Sequence, residues 1–505
     1  MKSRLRSQCL LLVLIGSLAL AARLTGQTFT VLHNFTPLNN NTNSDGAGPY
    51  AGLILSSNFL YGTARYGGDS GSGTVFKVRR DGTDFTNLHC FSASYPNNFN
   101  AQTNSDGFAP IGRLFLAGDC LYGATLHGGI SGSGTLFKVK TDGTSFTNLY
   151  NFPGNATAGA SPSAGLVLLS NILYGMASGG GPPGPSGTNG SLFALNTDGT
   201  GFTNLYDFTP FSSCCPLMNN DGANPQGGLI LSGNVIYGTA DGGGSGGSGT
   251  VFAMNTNGTD FSILHTFTTA APGAFPRTNS DGVAPQGLIL SANYLYGATG
   301  AGGSGGVGTI FEVSTNGTNF STSYNFTPLS VPLTGTNSDG ANPGAGLFLS
   351  GNTLYGTTAN GGPSGRGTVF AIKTDDMHFV NLHSFGVIAT NLSGAYTNWD
   401  GANPQGDLIL SDNTLYGTAS AGGNGGSGVI FSIFVQPQLT IVPSSSGQCV
   451  ILTWPTNYAG FTLQSTTNLI SPVWLTNSVL PVVVNDQITV TNSISGTQQF
   501  YRLSQ

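Results

Sequence analysis

Val235-Ile236-Tyr237-Gly238 is one of seven copies of a short phrase that reads Leu-Tyr-Gly or close to it. The copies are spaced by 61, 52, 63, 59, 59 and 61 residues, and their tyrosines are Tyr61, Tyr122, Tyr174, Tyr237, Tyr296, Tyr355 and Tyr416. Self-similarity at a fixed period indicates that each unit is one supersecondary module, which buries its apolar faces against its neighbours. The sequence therefore predicts a tandem-repeat protein.

The fourth unit shows what each module contains. Four short apolar runs follow one another, at residues 228–231, 235–240, 250–254 and 261–267. They are rich in β-branched and aromatic residues and are bounded by turn-forming residues, as β-strands are. Asn257-Gly258 is a favoured hairpin turn, because both of its central residues need φ > 0. No window shows a sustained helical period, so an all-β fold is predicted.

The two ends of the repeat region indicate how the units are arranged. The last unit stops after the run 428–431 without its fourth strand, whereas a matching strand, residues 29–35, precedes the first unit. Pairing this N-terminal strand with the last unit would close a ring and remove exposed sheet edges. A linear solenoid is the alternative. We predict a seven-bladed β-propeller over residues 27–434, closed by the N-terminal strand.

A second domain is predicted at residues 439–505, after a short linker at residues 435–438. Its expected strands are residues 449–454, 461–465, 472–474, 488–491 and 500–503. Short strands with a Trp in an early one favour a small β-sandwich. Trp454 and Trp474 are better explained as core residues than as a platform for a sugar.

The first 26 residues are typical of a secretory signal peptide. Basic residues precede an apolar stretch at residues 9–22, and the small residues at 19–21 suit cleavage. Cys9 does not lie in a lipoprotein cleavage site, and no later segment is apolar enough to be a transmembrane segment. We expect an exported protein, extracellular or at the cell surface.

Charge argues against two classes of partner. Only 7% of the 505 residues are charged, and the formal net charge is −6. Nucleic acids and anionic lipids are bound by basic surfaces, so we expect neither as a partner. A surface built from Asn, Thr, Ser and Gly instead suits contacts with a polysaccharide or a surface protein.

Five cysteines follow the predicted signal peptide: Cys90, Cys120, Cys214, Cys215 and Cys449. The first two lie in predicted strands of adjacent units, where they either form a disulfide or remain buried thiols. The vicinal pair has no His or further Cys nearby, which argues against a metal site. An odd number leaves at least one cysteine unpaired or engaged between chains.

An acidic loop recurs at one place in six of the seven units. It reads Asn-Ser-Asp-Gly or a close variant, with aspartates at Asp45, Asp106, Asp221, Asp281, Asp339 and Asp400. The third unit has Gly159-Ala160-Ser161-Pro162 instead. Each loop has a single carboxylate, and Asx-turn geometry accounts for Asp-Gly without an ion. We interpret the loops as structural turns, with a calcium site as the alternative.

One strand position carries either His or Tyr. The residues are His33, His89, Tyr150, Tyr206, His265, Tyr324 and His383. This exchange predicts a packing position with a polar tip rather than a catalytic base. A ring of His ligands around a central channel is the alternative if this strand is innermost. His127 and His378 each occur once, in predicted loops, and indicate no function.

Candidate catalytic groups are scarce. Glycoside hydrolysis typically needs two carboxylates, yet Glu312 is the sole glutamate and most aspartates occur in turns. The glycine-rich segments 242–249 and 302–308 precede strands, so they offer no helix N-terminus to a phosphate. We interpret them as flexible connections within a blade. The sequence predicts no catalytic residue and no cofactor.

Three motifs follow one another in most units. They are Asn-Ser-Asp-Gly-Ala-Asn-Pro, Gly-Leu-x-Leu-Ser-Gly-Asn-x-Leu-Tyr-Gly-Thr-Thr and Gly-Gly-x-x-Gly-x-Gly-Thr-Val-Phe, and residues 337–370 match them almost throughout. Together they closely resemble the Gloeo/Verruco tandem repeat (GloVer) family over residues 28–434, although the third unit departs from it with an insertion at residues 182–185. The resemblance implies an exported bacterial repeat protein and no catalytic residues. Residues 439–505 resemble the fibronectin-like terminal modules of secreted proteins from such bacteria.

These observations favour an exported, non-enzymatic binding or scaffold module whose ligand is a polysaccharide or a protein. The alternative is an extracellular polysaccharide hydrolase or lyase that uses the channel face. Scarcity of glutamate argues against the enzyme, whereas two unit-specific carboxylates close together on one face would favour it.

Overall fold

The computed structural model describes residues 27–504 apart from 98–100, 155–158, 164, 181–188, 215–216, 272–276, 332–334, 392–393, 436–438, 445–447, 456–460, 470–471, 485–486 and 494–497. The predicted signal peptide, the insertion at 182–185 and Cys215 lie outside the described residues. The chain divides into two compact units, Phe29–Ser432 and a unit that includes Ile433–Gln505. None of the described residues form a helix, and so none form one that could span a membrane. The predicted all-β class is confirmed.

Seven antiparallel sheets of four or five strands follow one another along the described part of Phe29–Ser432. The first sheet comprises Ile54–Ser56, Phe59–Ala64, Thr74–Arg79 and Thr86–Cys90. The second comprises Phe108–Pro110, Phe115–Ala117, Cys120–His127, Thr135–Lys140 and Thr147–Asn151. The third comprises Ala160–Pro162, Val167–Leu169, Ile172–Gly179, Ser191–Asn196 and Thr203–Asp207. The fourth comprises Ile230–Ser232, Val235–Ala240, Thr250–Asn255 and Ser262–Thr266.

The remaining sheets repeat this strand order. The fifth comprises Val283–Ser291, Tyr294–Ala301, Thr309–Ser314 and Phe320–Asn325. The sixth comprises Phe348–Ser350, Thr353–Thr358, Thr368–Lys373 and Phe379–Ser384. The seventh comprises Ile409–Ser411, Thr414–Ala419, Val429–Phe434 and, as its fourth strand, Thr28–Asn34. Short hairpins pair Tyr95–Pro96 with Gln102–Thr103, Ser213–Cys214 with Leu217–Met218, and Ala389–Thr390 with Tyr396–Thr397.

Packing within each sheet explains the glycine of the Leu-Tyr-Gly phrase. A Cβ on Gly62 would lie 2.7 Å from Cζ of Phe76 and 2.8 Å from Cδ2 of Leu53, closer than real Cβ atoms approach. The same contacts recur at the other six copies, where the rings are Phe137, Phe193, Phe252, Phe311, Phe370 and Phe431. Glycine therefore lets a buried ring of the neighbouring strand lie against the backbone.

Aromatic packing joins each sheet to the next. The phenylalanines after the fourth strands are at most 1% exposed: Phe35, Phe91, Phe152, Phe208, Phe267, Phe326 and Phe385. Each packs edge-on against the third-strand ring of the next sheet, with ring centroids 5.2–5.6 Å apart. Phe385 of the sixth sheet meets Phe431 of the seventh, and Phe35 of the seventh meets Phe76 of the first. Every sheet thus has an aromatic contact with the sheet before and the sheet after it.

The N-terminal strand Thr28–Asn34 makes the contacts of a fourth strand on both sides. The ring of His33 stacks on Phe85 of the first sheet, with centroids 3.9 Å apart. Phe29 stacks on His383 of the sixth sheet at 3.8 Å. Equivalent stacks join the fourth strands of the other neighbouring sheets. The strand therefore fills the position that the seventh unit leaves open.

The first and seventh sheets are in direct contact. Leu53 of the first sheet packs with Ile409 and Tyr416 of the seventh in one buried cluster. Arg80 donates from Nη2 to Asp412 at 2.6 Å and from Nε to the Tyr416 hydroxyl at 3.1 Å. Apolar and polar contacts both join the two ends of the repeat region.

The glycine-rich segments are hydrogen-bonded turns rather than the flexible connections predicted. Within residues 242–249, Gly249 N–H donates to the Gly243 carbonyl at 3.0 Å and Gly247 N–H to the Gly244 carbonyl at 3.1 Å. These four glycines, Gly243, Gly244, Gly247 and Gly249, have φ between +68° and +106°, a range that residues other than glycine rarely adopt. The glycines are thus required for a defined turn.

The unit that includes Ile433–Gln505 contains two sheets. One comprises Thr440–Pro443, Cys449–Pro455, Gln487–Ser493 and Val482–Val484, and the other Leu475–Thr476, Thr462–Thr466 and Phe500–Ser504. Trp454 is 2% exposed within the core cluster, as predicted. The predicted strand at 472–474 is wrong, since Pro472 has no N–H to donate and the strand is Leu475–Thr476. The predicted core position of Trp474 is wrong, because it is half-buried outside that core, with the guanidinium of Arg502 4.3 Å from its ring centroid.

Candidate functional site

The repeated aspartate is buried and forms a hydrogen-bonded pair with the partly buried His or Tyr in six units. Nε2 of His33, His89, His265 and His383 lies 2.9–3.0 Å from a carboxylate oxygen of Asp45, Asp106, Asp281 and Asp400, respectively. The hydroxyls of Tyr206 and Tyr324 donate to Asp221 and Asp339 at 2.7–2.8 Å. All six carboxylates are at most 8% exposed. The predicted packing position with a polar tip is confirmed, because either side chain serves the same acceptor.

Each carboxylate also holds the chain that leaves the fourth strand. In the fifth unit, Thr268 donates its N–H at 3.1 Å and its hydroxyl at 2.5 Å to Asp281. The equivalent N–H donors elsewhere are those of Thr36, Ser92, Thr209, Thr327 and Gly386. Each aspartate is therefore a brace between two segments, and the prediction that it forms an Asx turn is wrong.

The preceding asparagine makes the turn instead. Oδ1 of Asn279 accepts from Gly282 N–H at 2.9 Å and from Gly303 N–H at 2.8 Å. The asparagines of the other five acidic loops make the same two bonds. The acidic loop is thus tied to the glycine-rich turn of its own unit, which leaves the aspartate side chain free to face the fourth strand.

The third unit lacks the aspartate and keeps only the aromatic part of this arrangement. Tyr150 stacks on Phe202 with centroids 4.0 Å apart. Its hydroxyl bonds to none of the described residues, and burial raises the pKa of Tyr150. At this one of the seven positions, the aromatic ring is therefore held by stacking without a hydrogen bond to an aspartate.

The buried pairs have little capacity for chemistry. Burial opposes ionisation of Asp106 and Asp281, but hydrogen bonds from His and from Ser or Thr outweigh it and lower the pKa of both carboxyls. The charge is thus held by donors of the protein itself. Across the described ranges, no group of three His, Cys, Asp or Glu could hold a metal ion.

Side chains that depart from the repeat come together in the first unit. The guanidinium carbon of Arg65 lies 5.3 Å from the ring centroid of Tyr50 and 5.1 Å from that of Tyr66. The two rings flank Gly48, where a Cβ would lie 3.1 Å from Tyr50 and 3.2 Å from Tyr66. Nε of Arg65 is buried, and no described residue accepts a hydrogen bond from it. The first unit thus holds an arginine against two aromatic rings, whose centroids are 6.4 Å apart, and its Nε donor is unused.

The second unit contributes Phe108 and His127 near this arginine, since a Cβ on Gly73 would lie 2.8 Å from the Arg65 carbonyl oxygen and 2.7 Å from Cδ of Pro110, which is on the strand of Phe108. Their rings lie 5.3 Å apart on paired strands. Burial, and then the nearby charge of Arg65, lower the pKa of His127, so that its imidazole is neutral at pH 7. His127 is the last residue of a strand, and its predicted place in a loop is wrong. We call Tyr50, Arg65, Tyr66, Phe108 and His127 the aromatic–arginine cluster.

Residues just before the first strands meet although they are far apart in sequence. Nη1 of Arg113 lies 3.8 Å from Oδ2 of Asp407, five units further along the chain. Gly346 N–H donates to Oδ1 of Asp407 at 2.6 Å, and a Cβ on Gly52 would lie 2.8 Å from Cβ of Asp407. The first strands therefore approach one another, whereas the His-bearing strands lie at the opposite sheet edges. The alternative of a His ring around a central channel is wrong.

Asp241 of the fourth unit is the equivalent of Arg65 and has an unusual carboxyl. Gln226 donates from Nε2 to its Oδ2 at 3.1 Å. Burial raises the pKa of Asp241 to about 7. A carboxyl with this pKa is partly protonated at neutral pH and can donate a hydrogen bond as well as accept one.

Column-by-column comparison of the units could have found these residues. Tyr50 is replaced in the other units by Ile111, Ser163, Gln226, Gln286, Gly344 and Gln405. Arg65 is replaced by Leu126, Ser178, Asp241, Gly300, Ala359 and Ser420. A comparison that follows only the repeated motifs misses a site whose residues each occur in a single unit.

Other candidate groups lie apart from this cluster. Cys90, Cys120 and Cys449 are free thiols, so the alternative of a disulfide between the first two is wrong. Burial raises the pKa of the Cys90 and Cys120 thiols, as expected of unreactive cysteines. Glu312 accepts a hydrogen bond from the Ser321 hydroxyl at 3.0 Å, which is a contact between neighbouring strands.

The Gloeobacter/Verrucomicrobia repeat family matches the chain in four overlapping segments, residues 20–211, 94–280, 209–333 and 274–450. No curated protein matches it.

Some solved structures are similar to this chain in fold. A puromycin-hydrolysing peptidase of Mycobacterium tuberculosis is 11% identical, with 82% of this chain and 62% of that chain covered and a TM-score of 0.44. A putative 6-phosphogluconolactonase from Bacteroides uniformis is 12% identical, with 91% and 98% covered and a TM-score of 0.40. An oligogalacturonate lyase in complex with manganese is 11% identical, with 82% and 94% covered and a TM-score of 0.44. Scores this low support no inference about activity.

Proposed function

The chain belongs to the Gloeobacter/Verrucomicrobia repeat family, and from this premise we propose that it is an exported, non-enzymatic binding protein. It acts outside the cell or at the cell surface, as a binding or scaffold module. Its ligand is a polysaccharide or a surface protein. Hydroxyl and amide groups in place of charges are consistent with such a ligand, since only 7% of the residues are charged.

The framework of this protein is proposed to be a seven-bladed β-propeller closed by the N-terminal strand. Support comes from the aromatic contacts that lead from each sheet to the next, including Phe35 to Phe76 between the seventh and first. Contact between Arg113 and Asp407 is further support, because a linear stack would hold the second and seventh units far apart. The propeller accounts for both observations.

The proposal rests on one difference between repeated and unit-specific polar groups. In six units the repeated aspartate is buried and hydrogen-bonded to a partly buried His or Tyr, so these polar groups are already paired within the protein. The unit-specific groups come together in the aromatic–arginine cluster and at Arg113 and Asp407. A regular framework with a few irregular, partly exposed side chains is typical of a binding protein.

The two ends of the chain are assigned to export and attachment. Residues 1–26 direct export, and residues 439–505 form a fibronectin-like module that acts as a spacer or an attachment segment. Two antiparallel sheets around the buried Trp454 support this interpretation of the C-terminal module.

Affinity electrophoresis tests the proposed function. The mature protein is run through gels that contain one polysaccharide each, and the same mixtures are assayed for new reducing ends. Selective retardation without new ends is the expected result. New reducing ends would show that the protein is a hydrolase or lyase. Mobility unchanged in every gel would exclude polysaccharide binding and leave a protein ligand.

A further inference from the structure

We propose that the aromatic–arginine cluster binds a uronic acid residue of an acidic polysaccharide, with Arg65 on the sugar carboxylate and Tyr66 against the sugar ring. This inference rests on the proposed binding function and adds the site and the chemical class of its ligand. The first unit supplies Tyr50, Arg65 and Tyr66, and the second supplies Phe108 and His127.

The state of Arg65 indicates an anionic ligand. Arg65 is half-buried, with its guanidinium against two aromatic rings, yet the structure gives it no acidic partner among the described residues. Its Nε is buried and out of a ligand's reach, but the two Nη groups are not, and the structure gives them no acceptor among the described residues. A carboxylate that binds end-on to the two Nη groups would satisfy them, because the planar guanidinium fork matches the two carboxylate oxygens.

The rings around Arg65 indicate a sugar rather than a small inorganic anion. Tyr66 is 41% exposed although it is a large aromatic residue, and it forms an isolated β-bridge with Ala47 just after the strand Phe59–Ala64. An exposed tyrosine face packs well against the apolar face of a sugar ring, while its hydroxyl bonds to the sugar's polar rim. Aromatic contact beside a carboxylate-binding arginine is the combination that a uronic acid requires.

His127 adds a polar contact without adding charge. Its neutral imidazole can both donate and accept a hydrogen bond, as a pair of sugar hydroxyls requires. Phe108 packs at 5.3 Å from its ring and shields it on one side. The cluster therefore presents one fixed positive charge, neutral donors and acceptors, and aromatic surface.

The fold does not need these residues. At the position of Arg65 the other units have Leu, Ser, Asp, Gly, Ala and Ser, and at that of Tyr50 they have Ile, Ser, Gln and Gly. Seven sheets form with the same strand order despite these differences. A structural role common to all the units therefore does not explain why an arginine packs against two tyrosines here.

The test uses two tetrasaccharides that differ only at C6. A tetramer of β-1,4-mannuronate carries the carboxylates, and β-1,4-mannotetraose carries primary alcohols instead. Isothermal titration calorimetry with the full mature protein should show tighter binding of the mannuronate. Arg65→Gln should weaken that binding by roughly 10–100-fold, the range expected for a lost hydrogen-bonded charge pair. Arg65→Lys should weaken it less, because the charge remains and the planar fork is lost.

Matched controls keep the inference falsifiable. Arg79→Gln removes another arginine of the first unit that lies over an aromatic ring, but one whose partner Asp84 is already present. It should leave the affinity unchanged, and near-ultraviolet circular dichroism of both variants should match the wild type. Equal affinity for the two tetrasaccharides, or an Arg65→Gln variant with unchanged affinity, would overturn the inference. Retardation by a polysaccharide in gels would then still support the broader binding function, whereas no retardation in any gel would exclude every polysaccharide ligand and leave a protein ligand.

Discussion

Replacement of Asp281 should destabilise the protein far more than replacement of Asp260, an exposed aspartate of the preceding unit. The Asp281 carboxylate is 4% exposed and accepts from His265 Nε2 at 3.0 Å and from Thr268 N–H and hydroxyl. Asp281→Ala leaves three donors without an acceptor, and each unsatisfied donor costs about 1–3 kcal/mol when buried. Because water reaches part of the site, we expect a loss of about 3–5 kcal/mol in the free energy of unfolding.

Two milder variants separate the hydrogen bond from the packing. Asp281→Asn keeps the shape and one acceptor, so it should cost about 1–3 kcal/mol. His265→Tyr reproduces the pair that Tyr206 and Asp221 form in the fourth unit, so it should cost less than about 1 kcal/mol. Asp260→Asn is the control, because Asp260 is exposed, and it should change stability by less than about 0.5 kcal/mol.

Urea unfolding followed by circular dichroism measures these differences, and pH gives a second readout. The pKa of Asp281 is lower in the folded protein than its ordinary value of 3.8, so its ionised form stabilises the fold above about pH 4. This contribution is lost as pH falls further, and the gap between wild type and Asp281→Asn should narrow at pH 3. If the free energies of unfolding of Asp281→Ala and Asp260→Asn differed by less than about 1 kcal/mol, the bracing role of Asp281 would be refuted.

Three further predictions address the ring and the unit-specific groups. Phe35→Ala and Phe267→Ala should each cost about 3–5 kcal/mol in urea unfolding, because both rings are 0% exposed at equivalent positions. A much smaller loss for Phe35→Ala would indicate that the N-terminal strand does not close the ring. Asp241→Asn should raise the melting temperature at pH 8 and leave it nearly unchanged at pH 4, because a pKa raised from 3.8 to about 7 destabilises the wild type progressively between about pH 4 and pH 7 and fully above pH 7. Unchanged melting at pH 8 would contradict the assigned burial of Asp241. NMR titration should give His127 a pKa below its ordinary 6.5, and Arg65→Gln should raise it towards that value. A His127 pKa above 6.5 in the wild type would contradict the assigned burial.

Much of the architecture could be predicted because the same strand pattern occurs in seven units. The strand pattern of the fourth unit predicted the observed strands Val235–Ala240 and Thr250–Asn255. The strand missing after Phe431 predicted that residues 29–35 pair with the last unit. Both inferences follow from local composition and from the need to satisfy sheet edges, which a sequence shows directly.

Contacts between distant residues could not be predicted in this way. The exchange of His and Tyr indicated a polar tip, but the acceptor, such as Asp281 for His265, is brought there by the path of the chain between sheets. The glycine-rich turns were misinterpreted because their hydrogen bonds run between backbone groups, as from Gly249 to Gly243. The cluster at Arg65 was missed because its residues occur in one copy each, and a search for repeated motifs disregards them.

Hydrogen–deuterium exchange in the presence and absence of tetramannuronate tests most directly whether unit-specific side chains form the binding surface. We predict that backbone amides exchange more slowly on binding in peptides that cover residues 47–67 and 107–128, which contain the aromatic–arginine cluster. Peptides around the buried His265–Asp281 pair should be unaffected. Protection confined to those repeated pairs, or equal in all seven units, would contradict the account, because the ligand would then bind to what the repeats share.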